Sequence, residues 1–104
     1  MNMQALMKQA QAMQRDINNI RSELDSTIFE GKSSLVTVEV KGNKEVVRVN
    51  IDQGAKELIL DDVSMLEDMI VLALNDAFVK IDKKTEEKMG KYSNMMSGLM
   101  WYVS

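Results

Sequence analysis

The stretch VTVEVKGNKEVVRVNI, residues 36–51, decides the fold. From Val36 to Val40 every second residue is a valine and the residues between them are polar, which is the pattern of a half-buried β-strand. Gly42 and Asn43 predict a two-residue turn, because both residue types accept a positive φ angle. The chain then returns through a second strand from Lys44 to Ile51. The sequence therefore predicts an antiparallel β-hairpin.

The length of the turn fixes the predicted register of this hairpin. A two-residue turn pairs Val38 with Val47. The same register places Val36 opposite Val49, so that the apolar faces of the two strands match. The opposite face is mostly polar. We therefore expect one face of the sheet to be buried and the other to face solvent.

The first segment of the chain has the spacing of an amphipathic helix. Its apolar residues recur at alternating intervals of three and four, as in a heptad seam: Met3, Leu6, Ala10, Met13, Ile17, Ile20 and Leu24. Two interpretations stay open: the seam packs on the chain's own sheet, or it also packs on a helix of a partner. Lys8 and Arg15 lie one heptad apart on the opposite, solvent-facing side. After this helix, residues 27–29 predict a further short strand that turns at 31–34.

The sequence from Ser64 to about Lys91 predicts a second helix, apolar as far as Ile81 and polar beyond it. Ser64 and Glu67 fit a capping box at its start. The helix then carries a broad apolar stripe: Leu66, Met69, Ile70, Ala73, Leu74, Ala77, Phe78 and Ile81. Val71 and Leu72 widen this stripe, and a chain this short has little material to cover a second side of the helix, so the pattern predicts a homodimer. The residues expected at its interface are Ile70, Ala73, Leu74 and Ala77.

Composition narrows the chemistry that the chain can perform. The chain has 104 residues, the length of one domain, and contains neither cysteine nor histidine. This removes the commonest metal ligands and the usual acid–base side chain near neutral pH. Four acidic residues surround the start of the second helix: Asp61, Asp62, Glu67 and Asp68. We expect them to complement the helix dipole and not to hold Mg²⁺ or Ca²⁺. We therefore expect no enzyme, no cofactor and no small-molecule substrate.

Charge and hydropathy suggest the binding partners and the localisation of the chain. The net charge is −3, but lysines recur at helical spacing near the end of the second helix: Lys80, Lys84, Lys88 and Lys91. Such a stripe is often a solvated face, and it can also contact phosphate.

Residues 92–104 form a Met-rich and aromatic tail that either packs on the core or binds a partner. The longest apolar run, residues 69–74, is too short to span a bilayer, and the first residues have no signal-peptide core, so we expect a cytoplasmic protein without a membrane partner.

Three stretches, in order along the chain, match the signatures of a known family. LMKQAQAMQ, residues 6–14, looks like an N-terminal helix signature, and residues 35–52 look like the hairpin that follows it. LEDMIV, residues 66–71, followed by Ala73, Asn75, Asp76 and Ala77, looks like a second helix signature. Together they cover nearly the whole chain and resemble the YbaB/EbfC family of bacterial nucleoid-associated proteins.

The resemblance implies an α+β chain of order α-β-β-β-α, a single domain over residues 1–104, a tight homodimer, and a place at the nucleoid. It also implies binding to double-stranded DNA, with little sequence preference in some members, through helical surfaces at the protruding ends of the dimer. Lys8 falls inside the matching motif, Arg15 lies just beyond it, and the later lysines match only by region. The residues expected to bind DNA are Lys8, Arg15, Lys80, Lys84, Lys88 and Lys91.

Two functional interpretations follow from the sequence. The first is a dimeric DNA-binding protein that contacts mainly phosphates and reads little sequence. The alternative is a dimeric protein–protein adaptor with incidental DNA affinity, which the net negative charge favours and the lysine stripe opposes. An enzyme is a distant third.

Overall fold

A computed structural model shows two long helices and a three-stranded antiparallel sheet. The structure describes residues 2–55, 57 and 61–103, with side chains described as far as Tyr92. The helices are α1 (Met3–Ser26) and α2 (Val63–Val103), and the strands are β1 (Ile28–Ser33), β2 (Val36–Lys41) and β3 (Val46–Ile51). A short 3₁₀ turn at Gln53–Ala55 follows β3. The predicted α+β order, α-β-β-β-α, is confirmed.

The core lies between β2 and one face of α2. The strand order is β1-β2-β3, and α2 crosses β1 and β2. The three alternating valines of β2 have no exposed surface, and they meet three fully or almost fully buried residues of α2. These six residues are Val36, Val38, Val40, Ala73, Ala77 and Ile81. Burying each valine contributes about 1.5–3 kcal/mol, so β2 anchors the sheet to the helix.

Gly31 allows α2 to approach the sheet closely. A Cβ atom at this position would collide with the carbonyl oxygen of Ala73 and lie 2.7 Å from the Cβ of Ala77. The predicted turn at 31–34 is therefore wrong, because β1 continues through Gly31 to Ser33. The chain reverses only after that residue, where Ser34 has a positive φ of 51°.

The hairpin turn between β2 and β3 has three residues instead of the predicted two. The N–H of Lys41 donates to the carbonyl of Glu45 at 2.9 Å, which leaves Gly42, Asn43 and Lys44 in the loop. Lys44 takes the positive φ angle, 72°, whereas no glycine in the described part of the chain does. This is the arrangement of a type I turn closed by a left-handed residue. Gly42 serves packing instead, because a Cβ there would collide with the backbone of α1.

The observed register differs from the predicted one by two residues. Val38 pairs with Val49, and Val36 pairs with Ile51. The longer turn adds one residue, and a β-bulge at Val47 adds the second. Because the total shift is even, Val49 still lies on the face of the sheet that carries the buried valines.

On this face of the sheet, α2 leaves the edge strand β3 uncovered. Val46 and Val49 on β3 are 43% and 45% exposed, although they lie beside fully buried valines of β2. The predicted burial of one whole face is therefore correct for β2 and wrong for β3. The cause is the position of α2, which packs over β1 and β2.

The N-terminus of α2 is capped by Asp62 and not by the predicted Ser64–Glu67 box. The hydroxyl of Ser64 donates to the Asp62 carboxylate at 2.6 Å, and the N–H of Met65 donates to the same oxygen at 3.2 Å. The hydrogen bond from Ser64, followed by that from Met65, lowers the pKa of Asp62. The helix accordingly begins at Val63, one residue after its cap.

Beyond the sheet, α1 and α2 form a two-helix arm, defined as residues 3–20 and 83–103. The hydroxyl of Tyr92 donates to Asp16 at 3.5 Å, and Lys88 pairs with Glu23 at 3.6 Å, so the helices run antiparallel. The second half of the α1 seam is half-buried to buried, and α1 contacts α2 of its own chain. The first half, Met3, Leu6 and Ala10, is exposed, so its packing on a partner helix stays a prediction. The molecule is 70 Å long.

The residues predicted as a tail, 92–104, continue α2 as far as Val103. The backbone of this segment is therefore helical, and whether its side chains pack on the chain or bind a partner stays a prediction. Its side chains beyond Tyr92, together with Ser104, lie outside the described residues.

Candidate nucleic-acid interface

Lys80, the first lysine of the predicted stripe, is held against the sheet. Its ammonium lies 3.2 Å from the carboxylate of Asp76 and donates to the carbonyl oxygen of Glu30 at 2.8 Å. Asp76 in turn accepts the backbone N–H of Lys32 at 3.0 Å. That hydrogen bond, followed by the one from Lys80, lowers the pKa of Asp76. Lys80 therefore has two partners inside the chain, and one of them, Asp76, is itself bound to the backbone of β1.

Two further lysines of the stripe have carboxylate partners. Lys84 pairs with Glu87 at 3.5 Å, and Lys88 pairs with Glu23 of α1 at 3.6 Å. Exposed pairs of this kind contribute about 0–1 kcal/mol, so a phosphate can replace the carboxylate. Lys91 lies near the ring of Tyr92, 5.8 Å from its centroid. The stripe is present, but its charge is partly compensated.

The stripe is exposed because the sheet ends beneath it. Lys84 and Lys91 follow the core residue Ala73 by 11 and 18 residues, which is close to three and five helical turns. They therefore continue the side of α2 that packs on the sheet. Once α2 passes the sheet, this side carries lysines in place of alanines.

Lys8 and Arg15 lie on the outer side of the arm, as the heptad predicted. Both are exposed, and among the described residues neither has a carboxylate oxygen within 4.0 Å of its charged group. Two acidic residues of α1, Asp16 and Glu23, contact α2 instead. The structure does not bring Lys8 and Arg15 together with the α2 stripe. The arm thus presents two separate basic surfaces.

The residues predicted for the dimer interface pack on the chain's own sheet. Ala73 and Ala77 are fully buried, and Ile70 and Leu74 are half-buried against the same core cluster. The close helix packing that the two alanines permit is therefore used within the single chain.

Other apolar residues of α2 remain exposed on the side that faces away from the sheet. Val71, Leu72 and Val79 are 55%, 59% and 62% exposed. We use the name uncovered patch for these three residues and the two exposed valines of β3, Val46 and Val49, which lie on the sheet face beside α2. Sequence reasoning noticed Val71 and Leu72 but missed the part on β3, because the bulge and the position of the helix over the sheet are not visible in the pattern.

The described part of the chain offers little for catalysis or metal binding. Among these residues, no three acidic side chains lie together as a metal ion would require. One open cleft is lined mainly by polar groups of Lys32, Ser34, Thr37, Asn50 and Asp52. Within the same residues, no helix is long and apolar enough to cross a bilayer.

Comparison with known proteins defines the class. A model of the YbaB/EbfC DNA-binding family matches residues 1–96, and the chain belongs to this family of nucleoid-associated proteins. It is 43% identical over 101 residues to a nucleoid-associated protein of Ligilactobacillus salivarius, covering 95% of both chains. It is 42% identical over 98 residues to the nucleoid-associated protein str1598 of Streptococcus thermophilus, covering 92% and 97%.

A solved structure shares the fold. The uncharacterized protein HP0035 from Helicobacter pylori superimposes with a TM-score of 0.67, covering 92% of this chain and 98% of that one. At 23% sequence identity, this similarity supports the fold alone.

Proposed function

We propose that this chain is a homodimeric protein of the nucleoid that binds double-stranded DNA, mainly through phosphates and with weak sequence preference. Family membership supports DNA as the ligand. The main support for the location of the DNA-binding surface comes from the outer side of α1. There Lys8 and Arg15 are exposed and have no carboxylate partner among the described residues. Cations that are not already paired gain the most from meeting a phosphate.

The α2 stripe forms a second, weaker contact in this proposal. Phosphates would displace the carboxylates that pair with Lys84 and Lys88, and Lys91 would join them. Lys80 would contribute least, because Asp76 and the carbonyl of Glu30 already hold its ammonium. The ranking of the two surfaces follows from the ion pairs.

The homodimer is supported by the uncovered patch. Five apolar side chains on α2 and β3 are each more than two-fifths exposed. For a domain this small, this is a large amount of exposed apolar surface. A second copy whose own uncovered patch meets this one would bury both, as in an isologous interface. Ile70 and Leu74 would contribute the surface that the sheet leaves free. The dimer doubles the basic surfaces and spaces them apart.

Two charge-reversal variants test the DNA surface and serve as controls for each other. Lys8→Glu with Arg15→Glu and Lys84→Glu with Lys88→Glu change the net charge equally. In gel shifts with unrelated duplexes at 50 mM salt, we expect both to weaken binding to all duplexes, the first pair more strongly. Circular dichroism checks that each variant is folded. If both bind as well as the parent, the surface is misplaced; if the parent itself does not bind, the adaptor account replaces this one.

A further inference from the structure

The outer side of α1 carries no acidic side chain; apart from the small residue Ala12, its side chains are cationic or neutral polar. Six exposed residues at helical spacing form this side: Gln4, Lys8, Gln11, Arg15, Asn19 and Ser22. The acidic residues of α1 lie elsewhere on the helix, and Asp16 and Glu23 are turned toward α2 by their contacts with Tyr92 and Lys88. A helix face without acidic side chains can approach the phosphates that border the major groove without charge repulsion.

Gln11 occupies the middle of this face. It lies three residues from Lys8 and four from Arg15, so one cation stands about one helical turn away on either side. Its amide has no hydrogen-bond partner among the described residues. Gln14 differs, because its amide donates to Asn18 at 3.1 Å. Gln11 therefore presents both a donor and an acceptor outward.

We propose that α1 enters the major groove and that the amide of Gln11 reads the N6 and N7 atoms of an adenine. This inference rests on the proposed function and adds a modest preference for sites that contain A·T pairs. A bidentate contact between glutamine and adenine is the standard match of donors and acceptors in that groove. Lys8 and Arg15 hold the helix in place through phosphates, and residues 3–12 of α1 are all exposed and can reach the groove.

The test compares duplexes of equal length by fluorescence anisotropy at fixed salt. The parent should bind a duplex containing A·T pairs about tenfold more tightly than an all-G·C duplex, the lower part of the range for one bidentate base contact. Gln11→Ala should remove this preference without changing the salt dependence, because no charge is lost. Gln9→Ala is the matched control and should keep the preference. Gln9 lies two helical turns before Asp16, on the same side of α1 as that residue and not on the outer side.

A duplex with 7-deazaadenine separates major-groove reading from other causes of A·T preference, because this base lacks N7. The 7-deazaadenine substitution should weaken binding by the parent as much as Gln11→Ala does. It should have no further effect on binding by Gln11→Ala. Equal binding of A·T and G·C duplexes by the parent, or a preference insensitive to either change, overturns the inference while the proposed function stands. Failure to bind any duplex overturns both.

Discussion

The carboxylate of Asp76 lies 3.2 Å from the ammonium of Lys80, and the two side chains together close the free edge of β1. Asp76 accepts the N–H of Lys32, and Lys80 donates to the carbonyl of Glu30. An edge strand whose backbone groups are satisfied in this way is a poor template for another strand. This explains why a lysine inside a basic stripe serves the fold.

Replacing Asp76 should make stability less dependent on pH. Its pKa is lowered from the ordinary value of 3.8 by the N–H of Lys32 and then by Lys80. A lowered folded pKa means that the carboxylate stabilises the fold above the unfolded pKa, and that this contribution is lost as the pH falls through the folded value. We expect Asp76→Asn to have a lower urea midpoint than the parent at pH 7 and an equal one well below pH 3.8. Glu86→Gln, an exposed acidic residue in the middle of α2, is the control and should follow the parent throughout; an equal effect of both would contradict the role of Asp76.

Two glycines with opposite surroundings provide a matched pair of substitutions. Gly31→Ala places a methyl group against Ala73 and Ala77 and should destabilise the fold by about 2 kcal/mol or more. Gly90→Ala adds a methyl group where nothing lies within 4 Å, inside α2, and should stabilise it by about 0.5–1 kcal/mol. Urea unfolding measures both. A tolerated alanine at Gly31 would show that α2 does not approach β1 as closely as described.

The hairpin shows which parts of the fold a sequence can predict. Alternation identifies β2 and its buried face, because burial and spacing have the same period of two. It does not reveal that Lys44, a residue that rarely takes positive φ, closes the turn, nor that Val47 is bulged. Both depend on how β3 fits the rest of the sheet. The longer turn and the bulge each add one residue, and together they shift the register by two residues.

Lys44 offers a direct check on the turn. A non-glycine residue in the left-handed region costs about 1 kcal/mol, so Lys44→Gly should stabilise the fold by about 0.5–1 kcal/mol. The variant also loses an exposed ion pair with Asp82, 3.6 Å away, worth only a few tenths of a kcal/mol. Asp82→Asn measures that loss separately. A destabilised Lys44→Gly beside an unchanged Asp82→Asn would argue against the left-handed turn.

A charge in the uncovered patch should break the dimer. Leu72 is 59% exposed in the single chain and is expected to be buried by the second copy. Leu72→Glu should shift sedimentation equilibrium at micromolar concentration from twice the chain mass toward the monomer, because an unpaired charge would be buried at the interface. Met7→Glu makes the same exchange on the arm and should remain dimeric. A monomeric parent, or a dimeric Leu72→Glu, would contradict the proposed interface.

The candidate DNA surface was predictable only in part. The heptad places Lys8 and Arg15 opposite the seam, and this needs nothing beyond helical spacing. The compensation of Lys88 by Glu23 depends on packing between α1 and the far end of α2, so no local pattern reveals it. The same holds for Lys80, whose partner Glu30 lies on a strand fifty residues earlier.

The salt dependence of duplex binding tests the central claim most directly. If about six cations of the dimer, including Lys8 and Arg15 of both copies, neutralise phosphates, the slope of log K against log salt should be about −5. Affinity should then fall roughly a thousandfold between 50 and 200 mM salt. Lys8→Gln with Arg15→Gln should reduce the slope to about −2, whereas the matched pair Lys41→Gln with Arg48→Gln, on the sheet, should leave it near −5. Identical slopes for all three proteins would contradict DNA binding through the outer side of α1.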